Sequence, residues 1–123
     1  MIKLKSLKFD FQFKRLLNQK RINTNYFSIY FGKNLTKENN NKLNIGFIMK
    51  KILGNSVIRN KIKRRLRSAI QKKLKDKKDI NTNFSYIILG KSKAFTEKYS
   101  IISSELDKTF FKINQITKYN EIR

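Results

Sequence analysis

The sequence predicts an α+β fold, a single-domain α–β sandwich in which helices pack on one small sheet. The first observation is that helical and strand-like patterns alternate along the 123 residues, without an internal repeat. The second is that hydrophobic residues make up 39% and aromatic residues 12% of the chain, which is enough for a core despite a net charge of +22. We therefore expect one domain over residues 1–123, with a flexible tail at about 117–123.

The first segment, residues 6–18, fits either a strand or a helix. Its three Phe residues alternate as in a strand, but Phe9 and Phe13 also share a helical spacing with Leu16 and Leu17. We favour a short helix, because no Gly, Pro or β-branched residue interrupts the segment.

Two strands are predicted next, at residues 26–32 and 43–49, because both segments are rich in aromatic and β-branched residues. Alternation places Tyr26 and Tyr30 on one face of the first strand and Phe27 on the other. The polar segment between the two strands predicts that they pair as a hairpin. A short additional strand before Tyr26 is barely signalled.

A long helix is predicted from about Ser56 to about Lys75, with Asn55 or Ser56 as its N-cap. One stripe of this helix is apolar and faces the core; it contains Ile58, Ile62, Leu66, Ala69 and Ile70. After a linker, residues 84–90 form a strand apolar enough to be central in the sheet. The last helix is expected from about Ser100 to about Ile116.

The opposite side of the long helix is strongly basic. Asn60, Lys63, Arg64 and Arg67 share one face, and Lys61, Arg65 and Lys72 share one flank. No acidic residue occurs between Met49 and Lys75. Many Lys-rich helices are merely solvated, but this cluster is rich in Arg, whose planar fork suits phosphates. We therefore predict that the helix binds a polyanion, RNA or DNA.

Protein-borne catalysis is not indicated. The chain has no His and no Cys, so a His-based acid or base and a zinc site are not expected. The eight acidic residues are scattered, and no phosphate-binding loop occurs. We expect no transmembrane helix and no signal peptide, and the absence of Cys fits the cytoplasm. We expect neither a membrane nor a small-molecule substrate as partner.

The aromatic residues of the first strand allow two interpretations. Tyr26 and Tyr30, together with Phe11 or Phe13, could line an open sheet face on which single-stranded nucleic acid stacks. Aromatic stripes are, however, usually buried in a core. Periodicity alone does not decide between the two.

The basic helix and the residues before it resemble a known family, the protein subunit of bacterial ribonuclease P. That family's signature is a Lys-rich strand end followed by Gly-Asn-Ala-Val-x-Arg-Asn-Arg-x-Lys-Arg-x-x-Arg. Residues 50–67 of this chain read Lys-Lys-Ile-Leu-Gly-Asn-Ser-Val-Ile-Arg-Asn-Lys-Ile-Lys-Arg-Arg-Leu-Arg. Lys61 stands where the family has the second Arg of its Arg-Asn-Arg motif.

The resemblance implies a fold and a function. The implied fold has the order αβββαβα, with a small mixed sheet and a left-handed strand–helix–strand crossover, as in ribosomal protein S5 domain 2. In such an enzyme a catalytic RNA removes the 5′ leader of precursor tRNA, using Mg²⁺ held mainly by the RNA. The protein binds both RNAs and lowers the Mg²⁺ requirement. The alternative is a ribosomal or other structural RNA-binding protein without processing activity.

The resemblance also implies two sets of site residues. The set expected to bind the catalytic RNA is Arg59, Asn60, Lys61, Lys63, Arg64 and Arg67. The set expected to line a cleft for the leader is Phe13 (or Phe11), Leu17, Phe27, Tyr30 and Lys51.

Overall fold

A computed structural model describes residues 3–6, 11–34, 42–76 and 80–122 of the chain. Its strands and helices are β1 (Lys3–Ser6), α1 (Phe11–Leu16), β2 (Lys20–Asn23), β3 (Phe27–Lys33), β4 (Lys42–Ile48), α2 (Ser56–Lys75), β5 (Phe84–Gly90) and α3 (Tyr99–Ile122). The expected order αβββαβα is confirmed from α1 onward. The short strand β1, which we did not predict, precedes it.

In the described segments the sheet has five strands in the order β1-β4-β5-β3-β2. The predicted hairpin between β3 and β4 is wrong, because β5 lies between them, antiparallel to β3 and parallel to β4. The weakly signalled strand β2 pairs with β3 instead. The central position predicted for β5 is confirmed. The strand is apolar on both faces, so pairing on both edges and helices on both faces bury it most completely.

The sheet separates two apolar layers. The larger layer lies between the sheet and helices α2 and α3, and its buried members include Phe27, Ile29, Phe31, Ile62, Leu66, Ile70, Ile102, Leu106 and Phe110. The smaller layer lies on the opposite face, where Leu16 of α1 packs on Ile87. Because side chains alternate along a strand, successive residues of β3 point toward different layers.

Helix α2 begins as the sequence predicts, and Asn55 is its N-cap. The Asn55 side chain accepts a hydrogen bond from the Ile58 backbone N–H at 3.0 Å. Gly54 precedes it with φ of 138°, a conformation that side chains disfavour. A Cβ at this position would also lie 2.8 Å from Cδ1 of Ile58. The Gly-Asn pair therefore fixes where the basic helix starts.

Arg65 attaches α2 to the segment that leads into α3. Its guanidinium donates to the backbone carbonyl of Phe95 at 3.0 Å and to that of Glu97. Further along, the buried Lys73 pairs with Asp107 of α3 at 3.0 Å. These two contacts set the position of the basic helix against its neighbour.

We expect Arg65→Ala to lower the free energy of unfolding by about 3 kcal/mol, because two charge-assisted hydrogen bonds of about 1.5 kcal/mol each are lost. Arg64→Ala is the matched control. Arg64 is exposed, and this substitution removes the same charge one residue away from Arg65. Urea unfolding of the two variants measures the difference. Equal stability of both variants would contradict the anchoring role of Arg65.

Glu97 is held by two donors. Its carboxylate accepts the Lys98 backbone N–H at 2.9 Å and the Tyr26 hydroxyl at 3.0 Å. The Lys98 hydrogen bond, followed by that of Tyr26, lowers the pKa of Glu97 below its ordinary value of 4.5. The bond to Glu97 in turn raises the pKa of Tyr26. The contact joins the start of β3 to the segment before α3.

This contact predicts a pH dependence of stability. A lowered pKa means that the Glu97 carboxylate stabilises the fold above pH 4.5, and that this contribution is lost as the pH falls through the folded-state pKa. Glu97→Gln should therefore be less stable than the wild type near neutral pH, with the difference shrinking in acid. Chemical unfolding at a series of pH values from neutral to acidic measures the difference in free energy of unfolding between the two proteins. Glu105→Gln is the charge-matched control. If the stability difference between Glu97→Gln and the wild type does not change with pH, the lowered pKa of Glu97 is contradicted.

Helix α3 is longer than predicted, since it continues to Ile122 instead of ending near Ile116. Thr117, the first residue of the expected flexible tail, is fully buried. Its hydroxyl donates to the Asn114 carbonyl at 3.3 Å. Thr117 therefore belongs to the packed part of α3, and flexibility of the residues after it stays a prediction. None of the helices in the described segments has both the length and the hydropathy of a membrane span.

Candidate nucleic-acid interface

The predicted basic face of α2 is present and exposed. Asn60, Lys63, Arg64 and Arg67 line, together with Val57, a shallow cavity of about 510 Å³. These four polar side chains are all exposed, and the structure shows no ion pair for them within the described residues. We call this the α2 basic face. It presents unneutralised charge that suits a chain of phosphates.

The other two residues of the predicted RNA-docking set lie differently. Lys61 is on the flank of α2, where its ammonium sits over the Phe95 ring at 4.4 Å from the centroid. Arg59 is half-buried, and its Nε has no hydrogen-bond partner in the described part of the chain. The structure thus brings four of the six residues together and places the other two beside them.

A second surface lies on the α1 side of the sheet. Its buried floor is Leu16 and Ile87, and the half-buried residues around them are Leu17, Tyr30 and Ile48. Tyr30 lies opposite Ile87 in the ladder between β3 and β5. We call these five residues the Tyr30 surface. Two of the predicted cleft residues, Leu17 and Tyr30, are together here.

Arg21 of β2 is a candidate that the sequence interpretation missed. It lies directly opposite Tyr30 in the antiparallel ladder. Its guanidinium carbon is 5.7 Å from the Tyr30 ring centroid, and its Nη1 donates to the Tyr30 hydroxyl at 3.3 Å. The pair combines a positive charge with an aromatic ring at the edge of the sheet. The only sequence signal was the weak strand before Tyr26.

The structure corrects the placement of two aromatic residues. Phe27 is fully buried in the larger apolar layer, so its assignment to the leader cleft is wrong. Strand alternation is the reason, because Phe27 and Tyr30 are three residues apart and point to opposite faces. Tyr26 packs against the same large layer and bonds to Glu97, so it is not beside Tyr30.

The remaining predicted cleft residues are Lys51 and the two alternatives Phe11 and Phe13. Lys51 is exposed in a short 3₁₀ turn, Lys51–Leu53, that follows β4. Phe11 and Phe13 belong to α1, but their side chains lie outside what the structure describes. The choice between the two Phe residues therefore stays a prediction.

The described carboxylates with defined partners have structural roles. Asp107 pairs with Lys73, and Glu97 bonds to Tyr26 and Lys98. No group of three or more potential metal-ligating side chains forms in the described segments. The fold and its two surfaces therefore define a small basic α+β protein suited to binding polyanions.

Comparisons with known proteins agree with this class. The family model for ribonuclease P matches residues 1–114. The ribonuclease P protein component of Mesoplasma florum is 32% identical over 107 residues, which cover 85% of this chain and 90% of that protein. The component from Mycoplasma mycoides subsp. mycoides is 31% identical, over 83% of this chain and 89% of that protein.

Solved structures show the same fold. The ribonuclease P protein of Thermotoga maritima superimposes with a TM-score of 0.70 at 19% identity, covering 86% of this chain and 94% of that one. The Staphylococcus aureus protein gives 0.68 at 24% identity, covering 89% and 94%.

The chain belongs to the ribonuclease P protein family. It is a protein component of ribonuclease P, the ribonucleoprotein endoribonuclease that processes tRNA. The alternative of a structural RNA-binding protein without a processing role has no support in these comparisons.

Proposed function

We propose that the chain binds two RNAs at once, the catalytic RNA on the α2 basic face and the 5′ leader of precursor tRNA on the Tyr30 surface. The observation that carries this proposal is that the two surfaces lie on opposite sides of the sheet. Helix α2 packs on the larger apolar layer, and the Tyr30 surface is formed around the smaller one. An RNA strand on one surface therefore leaves the other surface free.

The chemistry of each surface supports its assigned partner. The α2 basic face offers Lys and Arg without a ring to stack on, which suits the backbone of a folded RNA. The Tyr30 surface offers one aromatic ring, an apolar floor and the Arg21 guanidinium. Single-stranded RNA, whose bases are free to stack, suits such a surface. We include Arg21 in the leader site, together with Leu17 and Tyr30.

Bond cleavage is assigned to the RNA. Mg²⁺ bound by the catalytic RNA would activate water and stabilise the leaving oxygen. The protein's part is to hold the two RNAs and to reduce the repulsion between their phosphates, which lowers the Mg²⁺ needed. Lys51 and either Phe11 or Phe13 remain candidates for further leader contacts.

Site-directed crosslinking tests the two assignments, because the chain has no Cys and a single introduced Cys is a unique attachment point. With a photo-crosslinker on Lys63→Cys we expect adducts to the catalytic RNA. On Leu17→Cys we expect adducts to the leader. Lys112→Cys, exposed on α3, is the control. Leader adducts from position 63, or only catalytic-RNA adducts from position 17, would contradict the proposal.

A further inference from the structure

A second basic cavity lies on the flank of α2, next to the start of α3. It has a volume of about 280 Å³ and is lined by Lys61, Arg64, Arg65, Ser68 and Tyr99. Arg64 is the one residue that it shares with the α2 basic face. We call it the α2–α3 pocket. Ser68 and Tyr99 belong neither to the α2 basic face nor to the Tyr30 surface.

Four of the five side chains that line this pocket have contacts within the described residues that hold them in place. The Lys61 ammonium rests on the Phe95 ring at 4.4 Å. Arg65 is fixed by the carbonyls of Phe95 and Glu97. The Ser68 and Tyr99 hydroxyls contact each other at 3.3 Å across the two helices. Fixed donors lose little conformational entropy on binding, which favours a specific site over a merely solvated face.

The donors in this pocket match a phosphate group. Three cationic side chains supply charge and N–H donors, and the lining residues include no carboxylate. One hydroxyl of the Ser68–Tyr99 pair donates to the other, which leaves one O–H of the pair for a ligand. An anion with several acceptor oxygens can use both the positive charges and the hydroxyl donor, whereas a neutral ligand cannot use the charges. Because Arg64 borders both cavities, a strand on the α2 basic face can continue into this pocket.

We propose that the α2–α3 pocket binds a backbone phosphate of RNA, with the Ser68–Tyr99 hydroxyl pair as a hydrogen-bond donor. The inference rests on the proposed function, since it extends the RNA contact from one side of α2 to the flank that faces α3. Either the catalytic RNA or the precursor tRNA could supply the phosphate, because both present the same phosphodiester group.

Removal of the two hydroxyls tests the pocket without changing charge. The double variant Ser68→Ala, Tyr99→Phe should bind the RNA that occupies the pocket about tenfold more weakly, as expected for the loss of one hydrogen bond to a charged group. The slope of binding against salt should not change, because no cation is removed. Affinity is measured first for the catalytic RNA, and then for precursor tRNA with the assembled holoenzyme.

A second variant covers the case in which the double variant unfolds. Ser68→Glu places a carboxylate in the pocket and should weaken the same RNA by more than about tenfold. Ser104→Glu, an equal change at an exposed position of α3, should weaken it much less. Weaker binding of the catalytic RNA would support the site and identify that RNA as its ligand. Weaker binding of precursor tRNA alone would support the site and identify the precursor as its ligand. Unchanged binding of both RNAs would overturn it.

These outcomes are separable from failure of the proposed function. The hydroxyl variant leaves Lys63 and Arg67 intact, so the α2 basic face keeps binding even where the pocket is not used. If charge variants of the α2 basic face lose RNA binding while Ser68→Ala, Tyr99→Phe binds fully, the pocket proposal is overturned and the proposed function is kept.

Discussion

Replacement of both Arg64 and Arg67 by Ala is expected to weaken binding to the catalytic RNA about a hundredfold at moderate salt. Each arginine contributes a charge-assisted contact of about 1.5 kcal/mol, which corresponds to roughly tenfold. The plot of log affinity against log salt should also become shallower, with a slope smaller in magnitude by about 2, because two phosphate contacts are lost. Filter binding across a salt series measures both quantities.

The control for this variant is Lys108→Ala combined with Lys112→Ala. These two lysines are exposed on α3, so the change in net charge is identical but lies outside the α2 basic face. We expect a loss of less than about threefold from the control, since only long-range attraction is reduced. Similar losses in both variants would show that binding follows net charge instead of the α2 surface.

Tyr30→Ala is the second large effect. It should weaken the holoenzyme's affinity for leader-bearing precursor about tenfold, because stacking of a base on an aromatic ring is worth roughly 1–3 kcal/mol. Affinity for mature tRNA, which lacks the leader, should change little. Tyr30→Phe keeps the ring and loses only the hydrogen bond from Arg21, so we expect it to retain most of the affinity.

Phe111→Ala is a suitable aromatic control for the Tyr30 variant. Phe111 is 65% exposed on α3, the helix that packs on the side of the sheet opposite the Tyr30 surface. It should leave the ratio of precursor to mature tRNA affinity unchanged. An equal loss for precursor and mature tRNA in Tyr30→Ala would mean that Tyr30 supports the fold instead of contacting the leader.

Local features of the fold could be predicted from the sequence. The start of α2, its apolar stripe and its basic face all depend on residues within about one or two helical turns of each other, and helical geometry relates them directly. The choice between Asn55 and Ser56 as N-cap needed coordinates, because both residue types can accept the same backbone hydrogen bond.

Sheet order could not be predicted in the same way. The insertion of β5 between β3 and β4 depends on pairing between strands far apart in the chain, which leaves no local signal. β2 was weakly signalled because it is short and mostly exposed, so its pattern lacks an apolar face. Arg21 was missed with it, since only the β2–β3 register brings Arg21 to Tyr30.

The error at Phe27 has a different origin. Strand alternation already placed Phe27 and Tyr30 on opposite faces, whereas the family resemblance assigned both to one cleft. The structure agrees with the alternation, since Phe27 is fully buried against α2 and α3. Where strand geometry and a transferred residue assignment disagree, the geometry was the better guide in this chain.

Cleavage of precursor tRNA at limiting Mg²⁺ tests the central claim most directly. The cognate catalytic RNA is assayed with and without the protein, and the protein is assayed alone. We predict that the protein lowers the Mg²⁺ concentration at half-maximal cleavage and has no activity by itself, since it supplies binding and charge while the RNA supplies the chemistry. An unchanged Mg²⁺ dependence, or cleavage by the protein alone, would contradict the account.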